Sequence, residues 1–152
     1  MSVADRLTEL GIVLPEAAAP VASYRPLVVQ GDMAYVSGQL PFIDGTLVTG
    51  KLGQDVTLER GTQAARACGL MILAQLKAAD LLERVEQVVK LGGFVASAPS
   101  FTDQPKVVNG CSNLMFDVLG EAGRHARSAV GVPVLPLDAA VEVDAIVALR
   151  PA

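Results

Sequence analysis

An alternating stretch lies near the end of the sequence, Val141-Glu142-Val143-Asp144-Ala145-Ile146-Val147-Ala148. Successive side chains of a β-strand point to opposite faces, so this alternation predicts a strand with one buried face. A second strand is predicted just before it, from Arg127 to Val134, with a turn at Pro136-Leu137-Asp138 between the two. These are the last two strands predicted in the chain.

Arg127 begins the earlier strand, within His125-Ala126-Arg127-Ser128-Ala129-Val130-Gly131-Val132, and it has two interpretations. A guanidinium among small apolar residues is costly unless an anion meets it. The space beside Ala129 and Gly131 would allow two-point binding of a carboxylate, and an acid of the last strand could assist proton chemistry. Alternatively, Arg127 faces solvent or pairs with a structural carboxylate. The pattern alone leaves both open.

The amino-terminal half predicts a short helix followed by hairpins. Residues 2–10 form an amphipathic pattern that Gly11 ends, and 15–20 form a proline- and alanine-rich linker. Two apolar runs, 27–29 and 33–40, flank a turn at Gly31-Asp32 and predict a β-hairpin. A second hairpin is predicted around Asp44-Gly45.

The middle of the chain predicts two helices around one strand. The first helix should run from Asp55, as its cap, to Ala79, with a buried stripe of Ala64, Ala65, Cys68, Met71, Ile72, Gln75, Leu76 and Ala79. Residues 85–97 predict a strand in which Gly92-Gly93 marks a bulge or a close backbone contact. Pro105 should open the second helix and Gly120 should end it.

This order of elements, β-β-α-β-α-β-β after an amino-terminal helix, predicts an α+β fold. A mixed β-sheet with two helices packed on one face is the expected architecture. The second face has no helices to cover it, so it is either polar or meets other subunits. We expect a single domain over residues 1–152, with 1–19 as an amino-terminal extension.

Composition narrows the classes of function. Of 152 residues, 51% are hydrophobic and 18% charged, yet no apolar stretch approaches the roughly 20 residues of a membrane span. The apolar excess favours burial in an oligomer interface. A net charge of −4 argues against binding to nucleic-acid phosphates. No secretory signal is visible, so a cytoplasmic protein is expected.

The reactive residue types give no separate motif. Cys68 and Cys111 fall in apolar helical patterns and predict two buried thiols, and one histidine with two separated cysteines offers no metal site. The two glycine-rich phosphate-binding patterns, G-x-x-x-x-G-K-[ST] and G-x-G-x-x-G, are both missing from the sequence. The glycines are expected at turns. His125 is interpreted as a loop histidine, because no acid that could orient it is identifiable beside Ser37.

Several stretches follow one another in a characteristic order: Tyr35-Val36-Ser37-Gly38-Gln39-Leu40-Pro41, then Ala126-Arg127-Ser128-Ala129-Val130, and finally Leu135-Pro136-Leu137-Asp138 followed by Val141–Ala148. Taken together, they resemble the signatures of the YjgF/Rid (reactive intermediate deaminase) family over residues 20–150. Asn109, in Val107-Val108-Asn109, falls where the family has an asparagine on its second helix.

The resemblance implies a chorismate-mutase-like fold and a homotrimer, a central barrel with ligand sites in clefts between subunits. It implies hydrolysis of enamines and imines of the 2-aminoacrylate type to 2-keto acids and ammonia, without metal or organic cofactor. A small carboxylate-bearing imine or keto acid would be the ligand, with no membrane or nucleic-acid partner. Relatives are also called endoribonucleases (L-PSP) or translation inhibitors.

The resemblance also implies roles for individual residues. Arg127 would bind the substrate carboxylate, and Asp144 would hold the attacking water where active members often have glutamate. The pocket would be lined by Tyr24, Ser37, Gly38, Asn109 and Ala129.

The departures from the family pattern keep the alternatives open. Asp144 is one methylene shorter than glutamate, Ala129 stands where cysteine is frequent, and His125 stands where proline is common. Glu142 lies on the same face of the strand and competes for the role of Asp144. Alternative functions are a non-catalytic module that binds small carboxylates in the same cleft and, with less support, a ribonuclease.

Overall fold

The computed structural model describes residues 1–19 and 22–152, so Pro20 of the predicted linker lies outside the described residues. The elements begin with helix α1 and two hairpins, α1 (Val3–Glu9), β1 (Leu27–Gln30), β2 (Met33–Gln39), β3 (Phe42–Ile43) and β4 (Thr46–Leu47). The remaining elements are α2 (Leu58–Ala78), β5 (Val85–Ala96), α3 (Gln104–Leu119), β6 (Ala126–Val132) and β7 (Val141–Leu149). The predicted order of elements is confirmed.

The main sheet has five strands in the order β1-β2-β7-β5-β6. The pair β5–β6 is parallel and the other neighbours are antiparallel. Helices α2 and α3 pack side by side on one face of this mixed sheet. The expected α+β architecture is therefore what the chain adopts.

The core lies between the two helices and the inward face of the sheet. Every second residue of β7, from Val141 to Leu149, is buried there. Cys68 on α2 and Cys111 on α3 are buried free thiols, as predicted. Burial raises the pKa of the Cys111 thiol to about 12, so this thiol is a packing residue rather than a nucleophile.

The opposite face of the sheet is open and partly apolar. Val28, Tyr35 and Val130 lie on it and are 48%, 46% and 45% exposed. Glu142 and Asp144 of β7 lie on the same face. A soluble monomer rarely leaves such an apolar face uncovered, so this face is suited to contact with other subunits.

Two local predictions for α2 are wrong. Thr57 caps the helix, because its hydroxyl accepts the Arg60 backbone N–H at 3.1 Å, whereas the Asp55 carboxylate closes the preceding loop by accepting the Lys51 N–H at 2.6 Å. Ala79 is the exposed carboxyl-terminal cap rather than part of the buried stripe.

The amino-terminal helix is attached to the core. Leu7 is buried against the main cluster. The Glu83 carboxylate, after α2, accepts the backbone N–H groups of Val3 and Ala4 at 3.1 and 3.0 Å, which places an anion at the helix amino terminus. Among the described residues, no helix is long and apolar enough to cross a membrane.

Candidate active site

A β-bulge in β2 shapes the first group of candidate residues. Val36 pairs with Ala145 and Gln39 with Val143, so Ser37 and Gly38 together oppose the single residue Asp144. Ser37 is fixed to the segment before β1, since its N–H donates to the Pro26 carbonyl at 2.9 Å and its hydroxyl donates to the Arg25 carbonyl at 2.7 Å. Tyr24, 55% exposed, lies in that same segment.

Glu142 approaches this bulge closely. A Cβ added to Gly38 would lie 2.9 Å from the Glu142 carboxyl carbon and from one of its oxygens. Glycine at position 38 therefore leaves the space that the glutamate side chain occupies. We call Tyr24, Ser37, Gly38 and Glu142 the acidic half-site.

Two buried amides support the bulge and were not identified as site residues from the sequence. Gln39 Nε2 donates to the Ser37 carbonyl at 2.9 Å. Gln75 on α2 donates to Gln39 Oε1 at 3.3 Å and to the Ala18 carbonyl at 2.9 Å. The sequence did contain a signal for Gln75, which lies inside an otherwise apolar helical stripe. A buried amide must find hydrogen-bond partners, so a polar contact was to be expected there.

Asp144 lies on the same sheet face but beside another strand. A Cβ at Gly92 of β5 would overlap its carboxyl, so the close backbone contact predicted for Gly92-Gly93 is confirmed at Gly92. The register shifts of β5 lie instead between Val85 and Lys90. Asp144 therefore approaches β5, whereas Glu142 approaches β2.

Both acids of β7 have raised pKa values for related reasons. Burial, and then the charge of Asp144, raise the pKa of Glu142 above its ordinary value. Burial also raises the pKa of Asp144, although a hydrogen bond from the Gly92 backbone and the charge of Lys90 partly oppose it. Of the two, Glu142 has no cation or backbone donor among the causes that set its pKa.

Arg127 belongs to a second group, on the other side of the sheet. It pairs with Leu91 of β5, which in turn pairs with Ala145 of β7, and both of these face the helices. Its Nη1 donates to Asn109 Oδ1 at 2.8 Å and to the Ser112 hydroxyl at 3.1 Å, both on α3. Ala129 lies two residues further along the same face and packs against the core. We call Arg127, Asn109 and Ala129 the basic half-site.

One protomer does not bring the two half-sites together. Ser37 on β2 and Arg127 on β6 are three strands apart, which is roughly 14 Å, and Arg127 points to the opposite face from Glu142 and Asp144. No ion pair joins Arg127 to either acid within the described residues. Residues 1–19 and 22–152 also contain no group of three potential metal ligands.

The fold is a mixed five-stranded sheet with two helices on one face. The candidate site residues are divided between the edge strand β6 and the open face of the sheet. Residues 4–149 match the family model described as "YjgF/chorismate mutase-like, putative endoribonuclease". The chain belongs to this family, and its chorismate-mutase-like fold is the one that the sequence resemblance implied.

Three relatives cover almost the whole chain. The protein TCP17 of Trypanosoma cruzi is 54% identical over 151 residues, covering 97% of this chain and 94% of the relative. A crystal structure of an Agrobacterium tumefaciens protein of unknown function is 50% identical, with a TM-score of 0.90, covering 97% and 92% of the two chains. A Shewanella oneidensis structure, which has the same endoribonuclease description as the family, is 36% identical with a TM-score of 0.93, covering 98% and 100%.

Proposed function

We propose that the protein, acting as a single domain over residues 1–152, hydrolyses 2-imino and 2-enamino acids of the 2-aminoacrylate type to 2-keto acids and ammonia. The proposed site lies between protomers of a homotrimer, where the basic half-site of one chain meets the acidic half-site of the next. The observation that carries the proposal is the Nε and Nη2 edge of the Arg127 guanidinium, which no hydrogen bond within the described residues uses.

The guanidinium of Arg127 is held in a way that leaves one edge available. Both hydrogens of Nη1 are used, one toward Asn109 and one toward Ser112. No hydrogen bond within the described residues uses Nε or Nη2. These two nitrogens form the fork that binds a carboxylate through two parallel hydrogen bonds. Arg127 is therefore prepared for a small carboxylate ligand.

The acidic half-site supplies a base for water. Glu142 is half-buried, its pKa is raised, and its carboxyl lies against the Ser37–Gly38 bulge. A base with a raised pKa accepts a proton more effectively near neutral pH. Asp144, to which the sequence resemblance assigned this role, lies over Gly92 instead, so we assign the base to Glu142 and leave Asp144 as the competing prediction.

The reaction needs only orientation and proton transfer. The enamine takes a proton at carbon to give the iminium, whose carbon is electrophilic. Water adds to that carbon while Glu142 takes one of its protons, and the resulting carbinolamine is neutral at its oxygen. The protonated Glu142 returns its proton to the amino group, and the C–N bond breaks as the hydroxyl oxygen forms the C=O bond and loses its proton to solvent. The products are ammonia and the 2-keto acid. Fixing the carboxylate and one water supplies most of the expected acceleration.

The separation of the half-sites supports an assembly of several protomers, and we propose a homotrimer. Arg127 and Glu142 cannot reach one small substrate within a protomer, because they lie on opposite faces and two strands apart. A cyclic assembly through the open apolar face would place the edge strand β6 of one protomer beside β2 and β7 of its neighbour. This would also cover Val28, Tyr35 and Val130.

The proposal is tested by coupled production of 2-aminoacrylate with measurement of ammonia and keto acid. Purified protein should accelerate ammonia release well above the buffer rate. A carboxylate-binding module without catalysis would instead bind pyruvate saturably in a calorimeter and release no additional ammonia. Ribonuclease activity that persists on repurification and disappears in Arg127→Ala would contradict the deaminase proposal.

A further inference from the structure

A chain of hydrogen bonds continues from Arg127 to the histidine of this protein. The Ser112 hydroxyl, which accepts from Arg127 Nη1, lies 2.9 Å from His125 Nε2. The other ring nitrogen, Nδ1, lies 2.7 Å from the Gly123 carbonyl oxygen. Gly123 is buried, and a Cβ there would overlap the Met115 backbone, so the chain ends on a turn packed tightly against α3.

The direction of this chain is determined by its last acceptor. A carbonyl oxygen can only accept, so Nδ1 of His125 must donate to Gly123. In the neutral ring Nε2 then has no hydrogen and accepts one from the Ser112 hydroxyl. With its hydrogen used in this way, Ser112 presents its lone pairs to Arg127. Each hydrogen bond from Arg127 Nη1 through Ser112 and His125 to Gly123 thus has one donor and one acceptor.

We propose that Ser112 and His125 are positioning residues that fix Arg127, so that its Nε and Nη2 edge faces the substrate carboxylate only while His125 is neutral. The inference rests on the proposed function of Arg127. Without the chain, Nη1 would keep only Asn109, and the guanidinium could rotate about that single bond. An unfixed guanidinium binds the same carboxylate less tightly, because ordering it costs conformational entropy.

Protonation of His125 would reverse the direction of its hydrogen bond with the Ser112 hydroxyl. A protonated ring donates from both nitrogens, so Ser112 would have to accept from His125 and Arg127 together, and two cations would share one hydroxyl. The charged groups around the ring do not offset this. Arg124 and Arg127 are cations of its own segment, Lys90 on β5 lies opposite Ala126, and Glu121 is already paired with Arg124 at 3.1 Å. The α3 residues lining the adjacent cavity are uncharged.

The tautomer can be observed directly, because the chain contains one histidine. Long-range ¹H–¹⁵N correlation spectra of the ¹⁵N-labelled wild-type protein should show the Nδ1–H tautomer at alkaline pH. In Ser112→Ala, the Nε2 resonance should shift because its donor is lost. Observation of the Nε2–H tautomer in the wild type would overturn the proposal, whether or not the protein is a deaminase.

Ligand binding gives the second readout. Ser112→Ala and His125→Ala should each raise KM for 2-aminoacrylate, or Kd for pyruvate, about tenfold with kcat changed little, and the double variant should be no worse than either single one. Once the ¹⁵N spectra show that acidification has protonated the ring, this constant should have risen in the wild type more than in His125→Gln, whose side chain stays neutral and can accept from Ser112.

The control is Asn113→Ala, which lines the same cavity but takes no part in the chain of hydrogen bonds. It should leave both constants unchanged. Equal pH dependence in the wild type and His125→Gln would overturn the proposal. If wild-type protein bound pyruvate but released no ammonia, the deaminase function would fail while the binding comparison still decided the role of His125. If the wild-type protein neither bound pyruvate nor released ammonia, the tautomer of His125 alone would decide whether Ser112 donates to its ring.

Discussion

The two half-sites are built on opposite principles. The basic half-site places a permanent charge on an edge strand and fixes it with side chains of α3, so its geometry is determined by hydrogen bonds. The acidic half-site depends on the backbone, where a bulge and a glycine bring Glu142 against β2, and where burial raises the pKa of that acid. In the proposed reaction, the basic half-site holds the carboxylate and the acidic half-site takes a proton from water, so neither half would be sufficient alone.

The largest effect should come from removing the proposed base. Glu142→Gln should lower kcat on the order of 10³-fold, because general-base catalysis typically contributes 10²- to 10⁴-fold. Asp144→Asn is the matched variant on the same strand face and should change kcat less than about tenfold. Steady-state ammonia release measures kcat for both variants. A larger loss of kcat in Asp144→Asn than in Glu142→Gln would assign the general base to Asp144.

Removing the cation should have the next largest effect. Arg127→Ala should lower kcat/KM about 10²-fold, since truncating one side of a hydrogen-bonded charge pair costs a few kcal/mol. The loss should appear mainly in KM, with pyruvate binding in a calorimeter lost in parallel. Arg124→Ala removes a neighbouring cation that stacks on Phe116 and should leave KM unchanged. A normal KM in Arg127→Ala would exclude this residue as the carboxylate ligand.

The glycine of the bulge offers a steric test. Gly38→Ala would place a methyl group 2.9 Å from the Glu142 carboxyl and displace it, which should lower kcat about tenfold or more. Gly92→Ala would displace Asp144 instead and serves as the control. If Gly92→Ala lowered kcat more than Gly38→Ala, the assignment of the base to Glu142 would be contradicted.

The smallest effect is on stability, where Glu142→Gln should raise the Tm although it lowers the activity. Because burial raises the pKa of Glu142, the folded state binds a proton more readily than the unfolded state, and stability falls as pH rises through the folded pKa. Above that pH the ionised carboxylate is a cost that Glu142→Gln removes. The Tm of the variant should therefore exceed that of the wild type at pH 8, and the difference should shrink on acidification. A lower Tm at pH 8 would contradict the sign.

The fold could be predicted from the sequence because periodicity reports burial directly. The alternation of Val141–Ala148 and the turn at Gly31-Asp32 each corresponded to the observed strands. The cap of α2 could not be assigned in the same way, because Asp55 and Thr57 are both good capping residues and only the loop geometry separates them.

The site was less accessible from the sequence. The residue type and its small neighbours suggested Arg127, whereas the family resemblance implied Asn109 and the Ser37–Gly38 pair. The structure gives Arg127 and Asn109 a direct hydrogen bond. Period-two alternation placed Glu142 and Asp144 on one face but could not distinguish them, because the bulge that selects Glu142 is an irregularity of pairing. The role of Ser112 was invisible for a similar reason, since its contact with His125 depends on how α3 crosses the start of β6.

The most direct test of a site shared between protomers is subunit complementation. Arg127→Ala and Glu142→Gln proteins, each nearly inactive, are unfolded, mixed in equal amounts and refolded together. In a closed ring with random mixing, a site needs an intact arginine from one protomer and an intact glutamate from its neighbour, so about one quarter of the sites should be active. Refolding either variant alone is the control. Recovery of about a quarter of the wild-type kcat/KM, measured at substrate concentrations below the wild-type KM, is the predicted result, and a mixture that stays at the kcat/KM of its parents would contradict the account.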